Sequence, residues 1–286
     1  MKAVQIDRYA KTVQTVLRDI PVPEISDSEV LIRVKAAAVN PVDLLILTGS
    51  VRLIQGYPMP LTLGNECAGI VEQAGRKVRN FQKGDKVYAR LPIHKIGDFA
   101  EYVAVDEKEI ARMPAGYDFA TAAAIPLTGL TAWQALTEEL EAKPGQTILI
   151  PGGSGSFGQM AVPLARVLGL RVLVTGNARA KDQFVAMGVE RYLDYQQENY
   201  WEQLSGLDGV IDTLGPAVLR KGGRLVSLRT GPNKVFAWRH QFPGWKKQLF
   251  ALAGRKYDKA AQKQGKEYRF VFVRSDGAQL RKITGI

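Results

Sequence analysis

Apolar and polar positions partly alternate over residues 29–36, as they do on a strand with one buried face. Residues 66–75 and 84–89 are further apolar runs punctuated by glycine, and 99–105 follows in the same style. The opening residues 1–7 read as one more short strand with Asp7 close behind it. Many short strands joined by glycine turns predict a compact, mainly β domain.

The pattern changes near Phe119. Residues 120–125 and 127–136 predict two helices broken at Pro126. An apolar strand over 147–150, a glycine-rich loop, a helix over 159–168 and a second apolar strand over 171–175 come next. A helix over 181–187 and strands at 192–194, 209–212, 224–228 and 269–273 complete the series. Strands alternating with helices mean βαβ units around a parallel sheet with both faces covered. The expected fold class is therefore α/β: a mainly β domain over 1–126, a doubly wound domain over 127–274, and a return over 275–286. Two domains also suit 286 residues, more than one simple core usually holds.

No apolar run is long enough to span a bilayer, and the start lacks the apolar core and cleavage site of a secretory signal. The one cysteine, Cys67, excludes an internal disulfide framework. These features predict a cytosolic protein with no membrane partner. The net charge of +11 is unevenly placed. Residues 1–219 carry 22 Lys and Arg against 25 Asp and Glu, whereas 220–286 carry 17 against 3. The basic tract is either a field for an anionic ligand or a solvated face. No zinc-finger spacing or RNA-binding aromatic motif accompanies it, so nucleic acid is not the expected partner.

Gly152, Gly155 and Gly158 stand three apart, directly between a predicted strand and a predicted helix. In that context glycine permits a tight turn, close approach of backbone to a pyrophosphate, and helix–strand packing. The helix that follows presents free N–H groups and a positive dipole end to the phosphates. After the second strand an NAD-binding chain places an acid for the ribose 2′-hydroxyl. Here the sequence offers Asn177, Arg179 and Lys181, with no acid before Asp182, which favours a 2′-phosphate and hence NADP. The two histidines, His94 and His240, lie far apart, and no set of three zinc ligands emerges.

Several segments together resemble the zinc-free, quinone-oxidoreductase-like branch of the medium-chain dehydrogenase/reductase family. They are Ala38-Val39-Asn40-Pro41-Val42-Asp43, the run from Leu63-Gly64-Asn65-Glu66 to Val71, and Phe81 with Gly84-Asp85-Lys86-Val87. Phe99-Ala100-Glu101-Tyr102, Pro126-Leu127-Thr128-Gly129 and the glycine loop also match. The resemblance implies a GroES-like catalytic domain and a Rossmann domain, with NADPH between them. Zinc-dependent members carry cysteine and histidine where this chain has Asn40 and Asn65. By the same resemblance Asn40 and Thr128 lie near the nicotinamide, and Ser154, Gly155, Ser156 and Phe157 line the pyrophosphate. Asn177, Lys181 and Tyr195 match positions that hold the 2′-phosphate, and Leu214, Leu228, Phe272 and Val273 flank the cofactor.

The implied reaction passes a hydride from NADPH to a quinone or an α,β-unsaturated carbonyl, in a homodimer. No side-chain acid or base is assigned; Tyr57 and Asp43 are candidates to assist, with packing the alternative reading for Tyr57. The chain departs from the pattern twice. A short segment, 216–221, replaces a fuller helix before Gly222-Gly223, and the last residue, Ile286, falls within an apparent helix where family members continue. A non-enzymatic NADPH-binding protein and a basic nucleic-acid-binding protein are the alternative readings.

Overall fold

A computed structural model describes residues 1–211 and 216–286. The chain divides into two compact units, one formed by Met1–Leu130 with Arg274–Ile286 and the other by Thr131–Val273.

In the first unit, β1 (Lys2–Ile6) pairs antiparallel with β2 (Val16–Asp19). Strand β3 (Glu29–Ala37) leads into helix α1 (Pro41–Leu47), and the short β4 (Leu61–Thr62) pairs with β1. Then come β5 (Glu66–Ala74), β6 (Lys86–Arg90), β7 (Tyr102–Asp106) and β8 (Ile110–Arg112). They form with β3 an antiparallel sheet of order β7-β3-β5-β6-β8. Alternate side chains of these strands, among them Val30, Ile32, Val71, Val87, Val103 and Ile110, meet in one buried cluster. Helices α2 (Phe119–Ala123) and α3 (Pro126–Gln134) follow. Pro126 opens α3 as its first residue, where the missing N–H costs nothing. The C-terminal helix Gly277–Thr284 lies against β8, and the Tyr88 hydroxyl reaches Thr284 Oγ1 at 2.7 Å. Gly277 allows that approach, since a Cβ there would fall 2.4 Å from the Ile110 carbonyl oxygen.

The second unit begins at Thr131, within α3, which passes into a π-helical turn at Ala135–Glu139. Its sheet is built from β9 (Thr147–Ile150), β10 (Arg171–Gly176), β11 (Arg191–Asp194), β12 (Leu207–Ile211), β13 (Leu219–Ser227) and β14 (Glu267–Phe270). All are parallel, in the order β11-β10-β9-β12-β13-β14. Counted along the unit this is 3-2-1-4-5-6, the dinucleotide-binding order of a doubly wound sheet. Helices α4 (Ser156–Val167), α5 (Lys181–Ala186), α6 (Lys234–Arg239) and α7 (Gly244–Gln262) connect the strands.

Several predicted boundaries change. Helix α4 starts at Ser156 rather than 159, because Gly155 already serves as its N-cap in extended conformation. Strand β13 begins at Leu219, with a register irregularity between Leu207 and Gly209 on its partner. Strand β14 ends at Phe270, so Phe272 and Val273 follow the strand instead of lying in it. The short segment at 216–218 is a single 3-10 turn.

Candidate cofactor and active site

In the second unit the residues named from sequence gather at the carboxyl ends of the parallel strands, where open α/β sheets bind ligands. The glycine loop follows β9. Gly152 has φ of +66°, the left-handed region that an L side chain rarely adopts. A Cβ on Gly158 would lie 2.4 Å from the Gly153 Cα, and one on Gly153 would lie 2.2 Å from Val174 Cγ1. The loop is thus pressed onto both its own helix and the neighbouring strand. Ser156 and Phe157 form the first turn of α4, whose N-cap Gly155 supplies no capping side chain. The first-turn N–H groups of a helix have no partner within it, which leaves them for a ligand.

Asn177 directly follows β10. Its Oδ1 accepts from the Ala180 N–H at 3.2 Å, and its Nδ2 lies 3.4 Å from Ser154 Oγ. The Tyr192 hydroxyl donates to the Asn177 carbonyl at 2.7 Å. Gly176 pairs with Asp194, so Asn177 and Tyr195 are the next residues on two adjacent strands. The Tyr195 N–H donates to the Gly176 carbonyl, and its side chain is exposed, as is that of Lys181 at the start of α5. Leu228 lies just past β13, and Phe272 and Val273 just past β14; all three are half-buried. Leu214 lies outside the described residues.

In the first unit Asn40 and Thr128 meet through a residue that sequence reasoning passed over. The Asn40 Nδ2 donates to Glu66 Oε1 at 2.7 Å, and the Leu127 N–H donates to Glu66 Oε2 at 2.6 Å. Thr128 is the next residue, its hydroxyl donating to the Ala124 carbonyl at 3.0 Å. One carboxyl therefore ties the entry of α1 to the first turn of α3. Asp43 holds the other side: its Oδ2 accepts from the Asn40 N–H at 2.7 Å and its Oδ1 from Asn65 Nδ2 at 2.6 Å. Both asparagines present amide nitrogens, donors with no free lone pair, to carboxyl oxygens.

This corner is buried and rich in ionisable groups. Burial pushes the Glu66 carboxyl up to about 7 and raises Asp43 as well. Burial also lifts Asp98 well above the carboxylate range and lowers Arg90 to about 10. Arg90 is the cross-strand partner of Glu66 and donates to the Leu91 carbonyl. Gly64, with φ of +106°, is what admits Asp98, since a Cβ there would fall 1.9 Å from the carboxyl oxygen. Tyr57 is buried and donates to the Ile93 carbonyl at 2.7 Å. Among the described residues no group of three or more His, Cys, Asp or Glu side chains is arranged to hold a metal.

A GroES-like β unit together with a 3-2-1-4-5-6 sheet carrying this loop defines the medium-chain dehydrogenase/reductase class. The alcohol dehydrogenase GroES-like domain matches residues 26–115. The NADPH-dependent alkenal/one oxidoreductase of Arabidopsis thaliana is 34% identical over 223 residues, or 73% of this chain and 57% of that protein. The chain thus spans little more than half the length of that relative. The human quinone oxidoreductase is 32% identical over 79% of this chain and 70% of that protein. The structure of the quinone oxidoreductase from Coxiella burnetii superposes with a TM-score of 0.79 at 27% identity, covering 100% of this chain and 86% of that one. Within its class, the chain belongs to the quinone oxidoreductase family.

Proposed function

We propose that this protein is a zinc-independent oxidoreductase that uses NADPH to reduce a quinone or an α,β-unsaturated carbonyl. The first unit serves as catalytic domain and the second as cofactor domain. One observation carries the cofactor choice: Asn177 and Tyr195 directly follow the adjacent strands β10 and β11, Lys181 opens the next helix, and no acid stands among residues 177–181. A carboxylate there would repel a 2′-phosphate, whereas Lys181 supplies a cation and Asn177 and Tyr195 supply polar atoms. The first turn of α4 suits the pyrophosphate, and the glycine loop has the open, side-chain-free approach that such a group needs.

When bound, NADPH supplies the hydride. The chain's own residues bind, orient and keep water out. Asn40 and Thr128 position the nicotinamide end, and the Glu66 carboxyl fixes both by accepting from Asn40 and from the N–H before Thr128. Leu228, Phe272 and Val273 offer half-buried apolar side chains along the cofactor. Asn40 and Asn65 turn donor nitrogens toward Glu66 and Asp43, an arrangement suited to a metal-free corner. Solvent protonates the product, so no side-chain acid is required. The relatives' printed functions, alkenal/one and quinone reduction, support the acceptor class. A cytosolic location and a homodimer are part of this reading, supported by the one buried cysteine and by the position of β14 at the sheet edge.

The test is a titration with NADPH, and in parallel with NADH, followed by nicotinamide fluorescence. NADPH oxidation is then measured over a panel of quinones and enones with and without chelator. Tight NADPH binding, weak NADH binding and chelator-insensitive turnover are expected. Absence of binding to either nucleotide, or loss of turnover on chelation, refutes the reading.

A further inference from the structure

Helices α6 and α7 carry a surface that the proposed reaction does not use. The side chains of Trp245, Leu249 and Leu252 follow one another at spacings of four and three along α7, so they share one face. That face looks outward: Trp245 is 62% exposed, Leu249 37% and Leu252 69%. The opposite face, with Phe250, Gly254 and Ala261, is the buried one. Trp238 of α6 is 47% exposed. An apolar ridge on the solvent side of a helix whose other face already packs needs a partner to cover it.

The charge around the ridge says what kind. Between residues 234 and 266 the sequence has nine Lys and Arg and a single acid, Asp258. Asp258 is occupied, accepting from Asn233 Nδ2 at 2.7 Å. Lys246, Lys247, Arg255, Lys256, Lys259 and Lys263 form no ion pair among the described residues. Lys247 instead lies 5.4 Å from the Trp238 centroid and Lys246 5.6 Å from that of Trp245, and Lys234 also lies over Trp238, at 5.3 Å. Indoles interleaved with lysines, beside exposed leucines, suit the boundary between lipid headgroups and acyl chains. There the rings and leucines enter the apolar edge while the ammonium groups stay with phosphate. A second copy meeting the same face would bring like charges together, which opposes association. A ridge of three apolar side chains also offers little of the buried area a stable protein partner needs, whereas a bilayer demands no shape match.

We propose that the α6–α7 face docks the protein on an anionic lipid bilayer surface, with Trp245 and Leu252 entering the interface and the surrounding lysines binding headgroup phosphates. The basic tract is then a peripheral membrane-binding face. No helix among the described residues is long and apolar enough to cross a membrane, so the contact is adsorption to the surface.

The full-length protein is sedimented with vesicles of phosphatidylcholine containing about one third phosphatidylglycerol, and with pure phosphatidylcholine vesicles, at low and high salt. Binding to the anionic vesicles alone, weakened by salt, is expected, with quenching of tryptophan emission by brominated acyl chains. Trp245→Ala with Leu252→Ser, and separately Lys256→Glu with Lys259→Glu, should each weaken binding about ten-fold or more. Nucleotide affinity should stay at the wild-type value in both, which shows that the variants fold. Failure to bind anionic vesicles at low salt overturns the proposal. So does binding that Trp245→Ala with Leu252→Ser leaves intact, because charge alone would then explain it. Self-association of the wild type that both variants abolish, without vesicle binding, assigns the face to a second copy and also overturns it.

Discussion

Glu66→Gln is the sharpest test of the tied corner of the first unit. The Glu66 carboxyl accepts from two donors, Asn40 Nδ2 and the Leu127 N–H, one at each oxygen. A carboxamide has one acceptor oxygen, so its NH2 must face one of those donors and leave it unpaired. A buried donor without a partner costs about 1–3 kcal/mol. The second effect runs the other way and depends on pH. Burial raises the Glu66 pKa from 4.5 to about 7, so the folded state holds the proton more tightly than the unfolded chain. The stability this proton confers is complete below pH 4.5 and is lost as pH rises through about 7. At about 1.4 kcal/mol per unit, the loss across that window is about 3 kcal/mol. Glutamine does not titrate. At pH 5 the variant should therefore be less stable than wild type by about 1–3 kcal/mol, and by pH 8 the gap should close or reverse. Asp43 and Asp98 are raised too, but both proteins retain them, so most of their contribution cancels in the difference. Urea unfolding at a series of pH values, followed by far-UV circular dichroism, measures the gap. Trp133, Trp201, Trp238 and Trp245 are the only tryptophans and all lie in the second unit, so their fluorescence supplies a reference transition. Parallel stability profiles for the two proteins between pH 5 and pH 8 would refute the assignment of a buried, titrating Glu66.

Gly158→Ala sets a Cβ 2.4 Å from backbone atoms of Gly153, which cannot move aside as a side-chain tip can. Weakening of NADPH binding by about 10- to 100-fold is expected in a fluorescence titration. Lys181→Ala should raise the NADPH dissociation constant about ten-fold and leave that for NADH unchanged; equal effects on both nucleotides would remove Lys181 from the 2′-phosphate site. Tyr88→Phe removes a hydroxyl that joins Thr284 Oγ1 at 2.7 Å and the Leu280 carbonyl at 3.2 Å. It should cost about 1 kcal/mol in the unfolding of the first unit and speed hydrogen exchange in the helix Gly277–Thr284.

The parallel strands of the second unit were legible because fully buried strands are short apolar runs, and 147–150 and 171–175 are runs of that kind. The class followed from local pattern plus the glycine loop, whose spacing has a mechanism. Helix α7 escaped notice for a physical reason. Its buried face contributes only Phe250, Gly254 and Ala261, while its large apolar side chains, Trp245, Leu249 and Leu252, face solvent. A period read as core-facing would have been read on the wrong side, and the surrounding lysines gave the stretch the look of a charge run. Helix α1 was missed because seven residues hold too few apolar positions to show a period, although Asn40 before Pro41 is a start signal.

The first-unit corner shows a different limit. Asn40, Asn65 and Glu66 all stood in segments that the sequence reading singled out, yet the pairing that matters could not be seen there. Glu66 opens one strand and Arg90 closes another, 24 positions later in the chain, and each alone looks like a charge at a strand end. They become cross-strand partners only in the register that sets Cys67 against Ala89 and Ile70 against Lys86. A slip of one residue would place Glu66 opposite Ala89 or Leu91 and turn every side chain of the strand to its other face. Register in turn depends on burying Cys67, Val71, Val87 and Ala89 in a single cluster, a condition on the whole sheet. The raised Glu66 pKa depends on the same condition, because only that packing removes the carboxyl from water. The residue types of this corner are thus written locally, whereas their chemistry is set by the fold.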